Sequence, residues 1–551
     1  MSEAPPTRVP HLRRGLIAAK VGASTNGRPL SSAHPKIYHF ERSAAKSRNP
    51  RSLFVLALLL AFTSCHRPAD PTTATIIIES SPNNLDLRIG TDAQSERVGA
   101  LIFDALVKKA PDFTFQPWLA ESWSQPDPLT LIFKIRTGVQ FHNGQPLTSR
   151  DVAYSIDSMH DGSLITSKSG NFANVDHTDA PDPSTVIVHL KHPDSGLLFN
   201  LSDGLFGVVP FGTTSTSHTF YGSGTFKFAS QVQDKEVLLD RNDHPWTSIA
   251  KIPHLKFNII PDNITAALEM KKGSADIASN VLTLDEIHSL EGTPNLKIES
   301  APGSFVYYMN FNLEDPALRN KAVRQAIALS IDRTAIINAI WRGEALPAST
   351  LLPKTHWAAS NAPPPPFNPQ AAQSLLESAG FHADAHGTRL HLTIKTSTDE
   401  TTRMLAAVLQ QQLRAAGIAL DIRSAEFGTF YADITHGIFQ LYVLKWIGSN
   451  EDPDIFRYAY STASFPPKGS NRGHFTNAQL DSLLNQAAAE PDQQKRRAIY
   501  LQAQQILADE LPSVPLWYPN NEIVHTSRIT HVVPNASGNF DFLREAEIIG
   551  H

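Results

Sequence analysis

The sequence predicts an α/β protein of more than one domain. Three observations carry this expectation. The chain has 551 residues, and one hydrophobic core rarely serves more than about 250–300. Apolar residues make up 41% and charged residues 18%, a globular balance rather than a disordered one. Compact β-branched runs are interspersed with stretches of helical spacing, an order that implies mixed sheets and helices.

Residues 75–79 (TIIIE) form the first predicted strand. Residues 101–107 have helical spacing, and 129–135 (LTLIFKI) alternate as a strand should. Residues 138–144 suggest a strand and turn ending in Asn143-Gly144. Thr148 suits a helix N-cap with Asp151 three residues on, and apolar positions continue to Met159. Asp182–Ser184 is a turn before the β-branched run 185–190 (TVIVHL). The second half is more helical. Helices are predicted over 265–272, stopped by Gly273, over 321–340, over 369–379 before Gly380, and over 401–416 before Gly417. Strands follow at 418–422 and 439–446, helices at 478–489 and 493–511, and a strand at 514–518. Residues 363–366 are four prolines, a stiff loop rather than a linker, because patterned sequence continues on both sides.

Charge is unevenly spread. The chain has 48 Lys and Arg against 53 Asp and Glu, but residues 1–64 hold ten of the former and two of the latter. The remaining body is therefore acidic, which argues against nucleic acid as a partner. Cys65 is the one cysteine, so an intrachain disulfide, a CxxC pair and a thiolate zinc cluster are excluded. No HExxH, P-loop or GxSxG elbow occurs, and Gly222-Ser223-Gly224 lacks the third glycine of a dinucleotide fingerprint. The 22 histidines are scattered, and no cofactor or metal is expected.

Residues 53–62 (LFVLALLLAF) are the longest apolar run. Ten residues are too few to span a bilayer, which takes about 20, but they suit the apolar part of a secretory signal preceded by Arg48 and Arg51. The alternative is a cysteine buried beside a short apolar strand. The order apolar run, Thr63, Ser64, Cys65 resembles the bacterial lipoprotein signal. That resemblance implies a diacylated Cys65 at the new N-terminus and a protein held on the periplasmic side of the envelope. His66 follows, and the choice of inner or outer membrane stays open. Residues 1–50 are polar and rich in Pro, Ser and Arg, and we exclude them from the fold.

Several ordered blocks after Cys65 resemble one family, the extracytoplasmic solute-binding proteins of ABC importers in the peptide, dipeptide and nickel class (family 5). The blocks are 119–123 (LAESW), 133–144 (FKIRTGVQFHNG), 146–154 (PLTSRDVAY), 221–227 (YGSGTFK), 242–246 (NDHPW), 273–277 (GSADI), 308–312 (YMNFN), 323–333 (VRQAIALSIDR) and 446–456 (WIGSNEDPDIF). The resemblance implies a type II periplasmic-binding-protein fold of cluster C, with two lobes, an extra inserted domain and hinge closure over ligand. It places domain I at 72–108, 199–306 and 516–551, domain II at 109–198 and domain III at 307–515. It implies a monomer that catalyses nothing and passes peptides, or a related small solute, to ABC permease subunits. Nickel chelates, glutathione-like thiols and oligosaccharides stay open as ligands, and a lipid-anchored hydrolase is the reading from another class.

The same resemblance nominates site residues. In relatives that bind dipeptides, an aspartate three residues after the tryptophan of the WxxD block pairs with the peptide's amino group; here that position is Ser449. A buried ammonium without a counter-charge is costly. Either Glu451 or Asp452 replaces it, or the ligand lacks a free amine. Asp452 and Asp454 otherwise shape the turn. Trp446 either stacks on ligand or fills the core side of its strand. Asn450 shares this loop. Tyr307 and Tyr308 precede the MNFN strand, where relatives line the cleft, and Arg403 is a candidate partner for a ligand carboxylate.

Overall fold

The computed structural model describes residues 70–214 and 220–549; Cys65 and the apolar run 53–62 lie outside them. Among the described residues no helix is long and apolar enough to cross a membrane. The chain starts with β1 (Thr73–Ile78) and a hairpin of β2 (Val107–Lys109) and β3 (Phe115–Pro117). A four-stranded antiparallel sheet follows, built from β4 (Ala120–Asp127), β5 (Thr130–Ile135), β6 (Val175–Asp182) and β7 (Thr185–Leu190) in the order β4-β5-β7-β6. Then come β8 (Phe226–Val232), β9 (Glu236–Arg241), β10 (His254–Ile259), β11 (Ile277–Ser279), β12 (Leu296–Pro302) and β13 (Val306–Phe311). Next are β14 (Ala345–Pro347), β15 (Leu390–Ser397), β16 (Ile418–Ala425), β17 (Leu441–Trp446) and β18 (Ser513–Thr526), and the short strands β19 (Ile529–Thr530) and β20 (Glu547–Ile548) pair with each other after them.

These strands form two lobes joined by one long strand. In the first, β1 pairs in parallel with β10 and β11, and β9 and β8 extend the sheet antiparallel. In the second, β15 lies parallel between β16 and β17, and β13 runs antiparallel to β17. Strand β18 belongs to both. Residues 513–517 pair with β13, and residues 523–525 pair with β11. The chain crosses between lobes again at residues 302–306, alongside β18. There the Gly303 N–H donates to the Pro519 carbonyl at 3.1 Å. A Cβ at Gly303 would stand 2.5 Å from that oxygen, so the close approach requires glycine.

The alternation of β13 shows how sequence sets this packing. Tyr307, Met309 and Phe311 face one apolar cluster, and Val306 and Tyr308 face another on the opposite side, as a period of two demands. In the four-stranded sheet, Leu131, Phe133, Val186 and Val188 pack with Val152 and Ile156 of helix Ser149–Asp157. That helix starts as predicted, with the Thr148 N–H donating to the Asp151 carboxylate at 2.8 Å.

Three expectations need correction. Residues 101–107 are not a helix. The helix is Ala93–Ile102, started by Asp92, whose carboxylate accepts the Ser95 N–H at 2.9 Å, and Phe103 is already extended. The helix expected over 321–340 is two, Lys321–Leu329 and Arg333–Ile340. The Ser330 hydroxyl donates to the Ala326 carbonyl at 2.7 Å, and Asp332 caps the second helix by accepting the Ala335 N–H at 2.9 Å. Residues 138–144 are turns with an isolated bridge between Gln140 and Pro146, not a strand.

The inserted sheet is tied to the first lobe at a buried carboxylate. Asp104 accepts the indole N–H of Trp118, the indole N–H of Trp246 and the hydroxyl of Ser223, each at 2.8 Å. Three donors offset the cost of taking the carboxylate out of water. The Gly222-Ser223-Gly224 motif now has a structural reason. A Cβ at Gly222 would lie 1.9 Å from the Ile102 carbonyl oxygen, and one at Gly224 would lie 2.5 Å from that of Leu101. The two glycines let the chain cross the helix end, which brings Ser223 to Asp104. Asp104→Ala strands three donors and is expected to lower the unfolding free energy by about 3 kcal/mol or more, whereas Ser223→Ala costs about 1. Urea denaturation measures both, and an Asp104→Ala curve that overlays the parent's would refute the assignment.

Candidate ligand crevice between the lobes

Five charged side chains from four segments converge where the lobes face each other. Helix Ala93–Ile102 presents Glu96 and Arg97, β2 presents Lys109, and the turn after a short helix at Leu197–Asn200 presents Asp203. The loop after β17 supplies Glu451 with Ile447 and Gly448. Gly448, at φ 75°, takes the left-handed conformation that makes this loop turn sharply. Together these residues line a crevice of about 90 Å³.

The charges are unequally satisfied. Lys109 Nζ stands 2.8 Å from Glu451 Oε2, an ion pair across the two lobes. Glu451 Oε1 accepts the Ser304 hydroxyl at 2.9 Å, and the Lys109 backbone N–H donates to Asp203 at 2.8 Å. Burial works against the charge of Lys109, but the carboxylates of Glu451 and Asp203 outweigh it and raise its pKa. Desolvation pushes Asp203 and Glu96 above the usual carboxylate range, against the pull of nearby lysines. Arg97 differs. Burial lowers its pKa against the attraction of Glu79, Glu96 and Glu451, and its guanidinium makes no hydrogen bond or ion pair among the described residues. Five fixed donors facing a crevice suit a planar carboxylate.

The lobes also touch around this crevice. The Trp357 N–H donates to the Asp112 carbonyl at 2.9 Å, and the Ser195 N–H donates to that of Ala488 at 3.0 Å. Arg496 Nη1 donates to the Ser195 carbonyl at 3.2 Å. Phe113 stacks on His356 with centroids 5.4 Å apart. This is a closed arrangement. A larger hollow of about 420 Å³ lies between Phe115, Trp123 and Leu198 on one side and Gln493 and Arg496 on the other. It is lined by neither the five convergent charges nor the WIGSNEDPD loop.

The nominated residues fall around this crevice rather than in it. Asn450 is fully buried, and its side-chain amide donates to the carbonyls of Ser304 at 2.5 Å and Leu351 at 3.0 Å, pinning the loop to the lobe crossing. Ser449 is exposed. Asp452 is buried, and its Oδ1 accepts the Asp454 N–H at 2.7 Å, which shapes the turn before helix Ile455–Tyr460. Burial, with Asp454 nearby, pushes its pKa up to about 7. Trp446 stacks on Tyr308 at 5.6 Å, and its indole N–H is buried without a partner. Tyr307 packs on the other face of β13 against Trp341 and Trp517. Arg403 is exposed on helix Glu400–Arg414 and is not among the crevice residues. Of the residues weighed from sequence as a replacement counter-charge, Glu451 reaches the crevice, with both oxygens already engaged. Glu96, Arg97, Lys109 and Asp203 were missed. Asp92, an N-cap residue type, is the one local signal of the helix that holds two of them, and no local pattern signals that their charges meet.

Two lobes joined by a shared strand, closed over a charged crevice, define a solute-binding protein. Residues 114–466, more than half of the chain, match the family model for bacterial extracellular solute-binding proteins, family 5 (middle region). The chain belongs to that family. It is 27% identical over 532 residues to the probable di/tripeptide-binding protein 5 of Pseudomonas aeruginosa, covering 90% of this chain and 98% of that one. It is 24% identical over 483 residues to the glutathione-binding protein GsiB of Escherichia coli O1:K1, covering 85% and 93%. Among solved structures, HbpA2 from Haemophilus parasuis superposes with a TM-score of 0.77 at 24% identity, covering 87% of this chain and all of that one.

His356 makes lobe contact sensitive to acid. Its Nδ1 accepts the Ala358 N–H at 3.0 Å, so the ring is neutral and Nε2 donates to the Glu451 carbonyl at 3.1 Å. Burial pushes its pKa down to about 3, against an ordinary value of about 6.5. Between those values the unfolded chain holds a proton that the folded chain does not, so this contribution to stability is present above pH 6.5 and is lost as pH falls. The raised pKa of Asp452 acts in the opposite direction over part of that window, so the informative quantity is a difference. The stability of the parent minus that of His356→Gln should fall by about 1.4 kcal/mol per pH unit below 6.5. Chemical denaturation across pH 4–8 measures it; a flat difference would mean that His356 is charged in the fold.

Proposed function

We propose that this protein captures di- and tripeptides by closing its lobes and presents them to the permease of an ABC importer. The observation that carries the reading is the Arg97 guanidinium, which among the described residues makes no hydrogen bond or close ion pair although carboxylates surround it. A peptide brings a carboxylate for Arg97 and an ammonium for Glu96 or Asp203, which offsets the serine at position 449. Lys109 and Glu451, from opposite lobes, then close over it. The names of the di/tripeptide-binding relatives support this solute class. A glutathione-like tripeptide is the second reading, favoured by the presence of two crevice cations, Arg97 and Lys109, for two ligand carboxylates.

We propose to divide the chain as the family resemblance implies, with the four-stranded sheet as the inserted domain within 109–198 and the second lobe within 307–515. The protein acts as a monomer without cofactor, anchored through a diacylated Cys65. Labelled palmitate should enter the parent in cells and be absent from Cys65→Ala.

Isothermal titration with free dipeptides, their C-terminal amides and N-acetyl forms tests the site. Amidation and Arg97→Met should each weaken binding by about 2 kcal/mol or more, roughly 30-fold, and should not be additive. A free dipeptide at about 100 times its Kd should stabilise the protein by about 2.7 kcal/mol. Absence of heat and of thermal shift across a dipeptide and tripeptide panel would overturn the peptide reading. Tight binding of glutathione alone would select the second.

A further inference from the structure

A cluster unrelated to the crevice sits on the edge of the inserted sheet. His177 on β6 lies directly across from His189 on β7, and their rings stack with centroids 4.3 Å apart. Asp179, two residues along β6 from His177, reaches both rings. Its Oδ2 is 3.1 Å from His189 Nε2 and 3.9 Å from His177 Nε2. One ligand atom from each of the three lies within 4.8 Å of the others. A register shift in β6 between Val175 and His177 puts Asp176 beside the cluster. The Asp176 carboxylate accepts the His177 Nδ1–H at 2.9 Å, which leaves Nε2 of that ring with its lone pair towards Asp179.

We propose that His177, Asp179 and His189 bind one divalent first-row transition ion of the zinc, copper or nickel class. Zinc bound by nitrogen and oxygen at about 2.0–2.2 Å in a tetrahedron holds its ligand atoms about 3.4 Å apart, and the two distances to Asp179 bracket that spacing. Two imidazoles with one carboxylate favour these ions over calcium and magnesium, which take oxygen. Asp176 orients His177 from behind, as outer carboxylates orient metal-bound imidazoles. His177 and Asp179 are exposed and His189 is partly so, which leaves the cluster open to solvent. The ordinary alternative is a histidine–carboxylate cluster that holds nothing.

The experiment uses the whole chain after EDTA treatment, titrated with ZnCl2 by calorimetry. Zinc is expected to bind, and His177→Ala and His189→Ala should each remove one equivalent or weaken it at least 100-fold. Asp176→Asn should weaken the same component about 10- to 100-fold. Circular dichroism confirms that these exposed variants fold. Zinc heats identical in the parent and both histidine variants, or no binding at all, would overturn the proposal. Zinc K-edge spectra showing an N/O shell that the histidine variants retain would do the same. Dipeptide affinity should not change in the three variants, so this test fails or succeeds independently of the peptide reading.

Discussion

Strand β18 is the constraint that organises the rest of the molecule. Its first half is a rung of one sheet and its second half is a rung of the other, with β12 and β14 paired to it along the way. Two lobes that share a hydrogen-bonded strand cannot slide apart. They can bend where the ladder passes from one sheet to the other, near residues 517–521 and the adjoining crossing at 302–306. The Gly303–Pro519 contact holds the two crossings side by side, an arrangement of the kind that hinge closure uses. That geometry brings charges from four separate segments together.

Electrostatics in the crevice follows from burial. A bridging pair such as Lys109–Glu451 is favourable only when its remaining hydrogen-bonding capacity is used; Ser304 donates to the second Glu451 oxygen, and the Asp203 carboxylate, anchored on the Lys109 backbone N–H, adds a second negative charge near the ammonium. Arg97 has no such support, so it is the group with most to gain from an incoming anion. The contrast with Asp104 is instructive. Asp104 is buried and saturated by three donors and serves as a structural node, whereas half-buried Arg97 has no hydrogen-bond partner among the described residues. The number of satisfied partners separates the two roles.

Much of the framework was legible in the sequence. TVIVHL at 185–190 alternates so strongly that the strand has those bounds, and the Thr148–Asp151 spacing located a helix start. Failures have identifiable causes. Helix Ala93–Ile102 buries Gln94 and Ser95, polar residues that hide its inner face from a hydrophobic pattern. The break at Ser330–Asp332 is invisible to periodicity because apolar spacing continues through it. For Trp446 the sequence leaves ligand stacking and core filling both open; β13 and β17 pair so that Tyr308 lies diagonal to Trp446 and the two rings stack on each other. The crevice charges come from positions hundreds of residues apart, and no local window reports that they are buried together.

The order of synthesis gives strand β18 a further significance. It occupies residues 513–526 and follows in the chain every strand it pairs with, so it is made after all of them. Until then β12 and β14 have no strand to pair with, and the two half-sheets have no common rung. Contacts this distant in sequence form slowly, so the two half-sheets acquire their common rung only after the long stretch between them has been made.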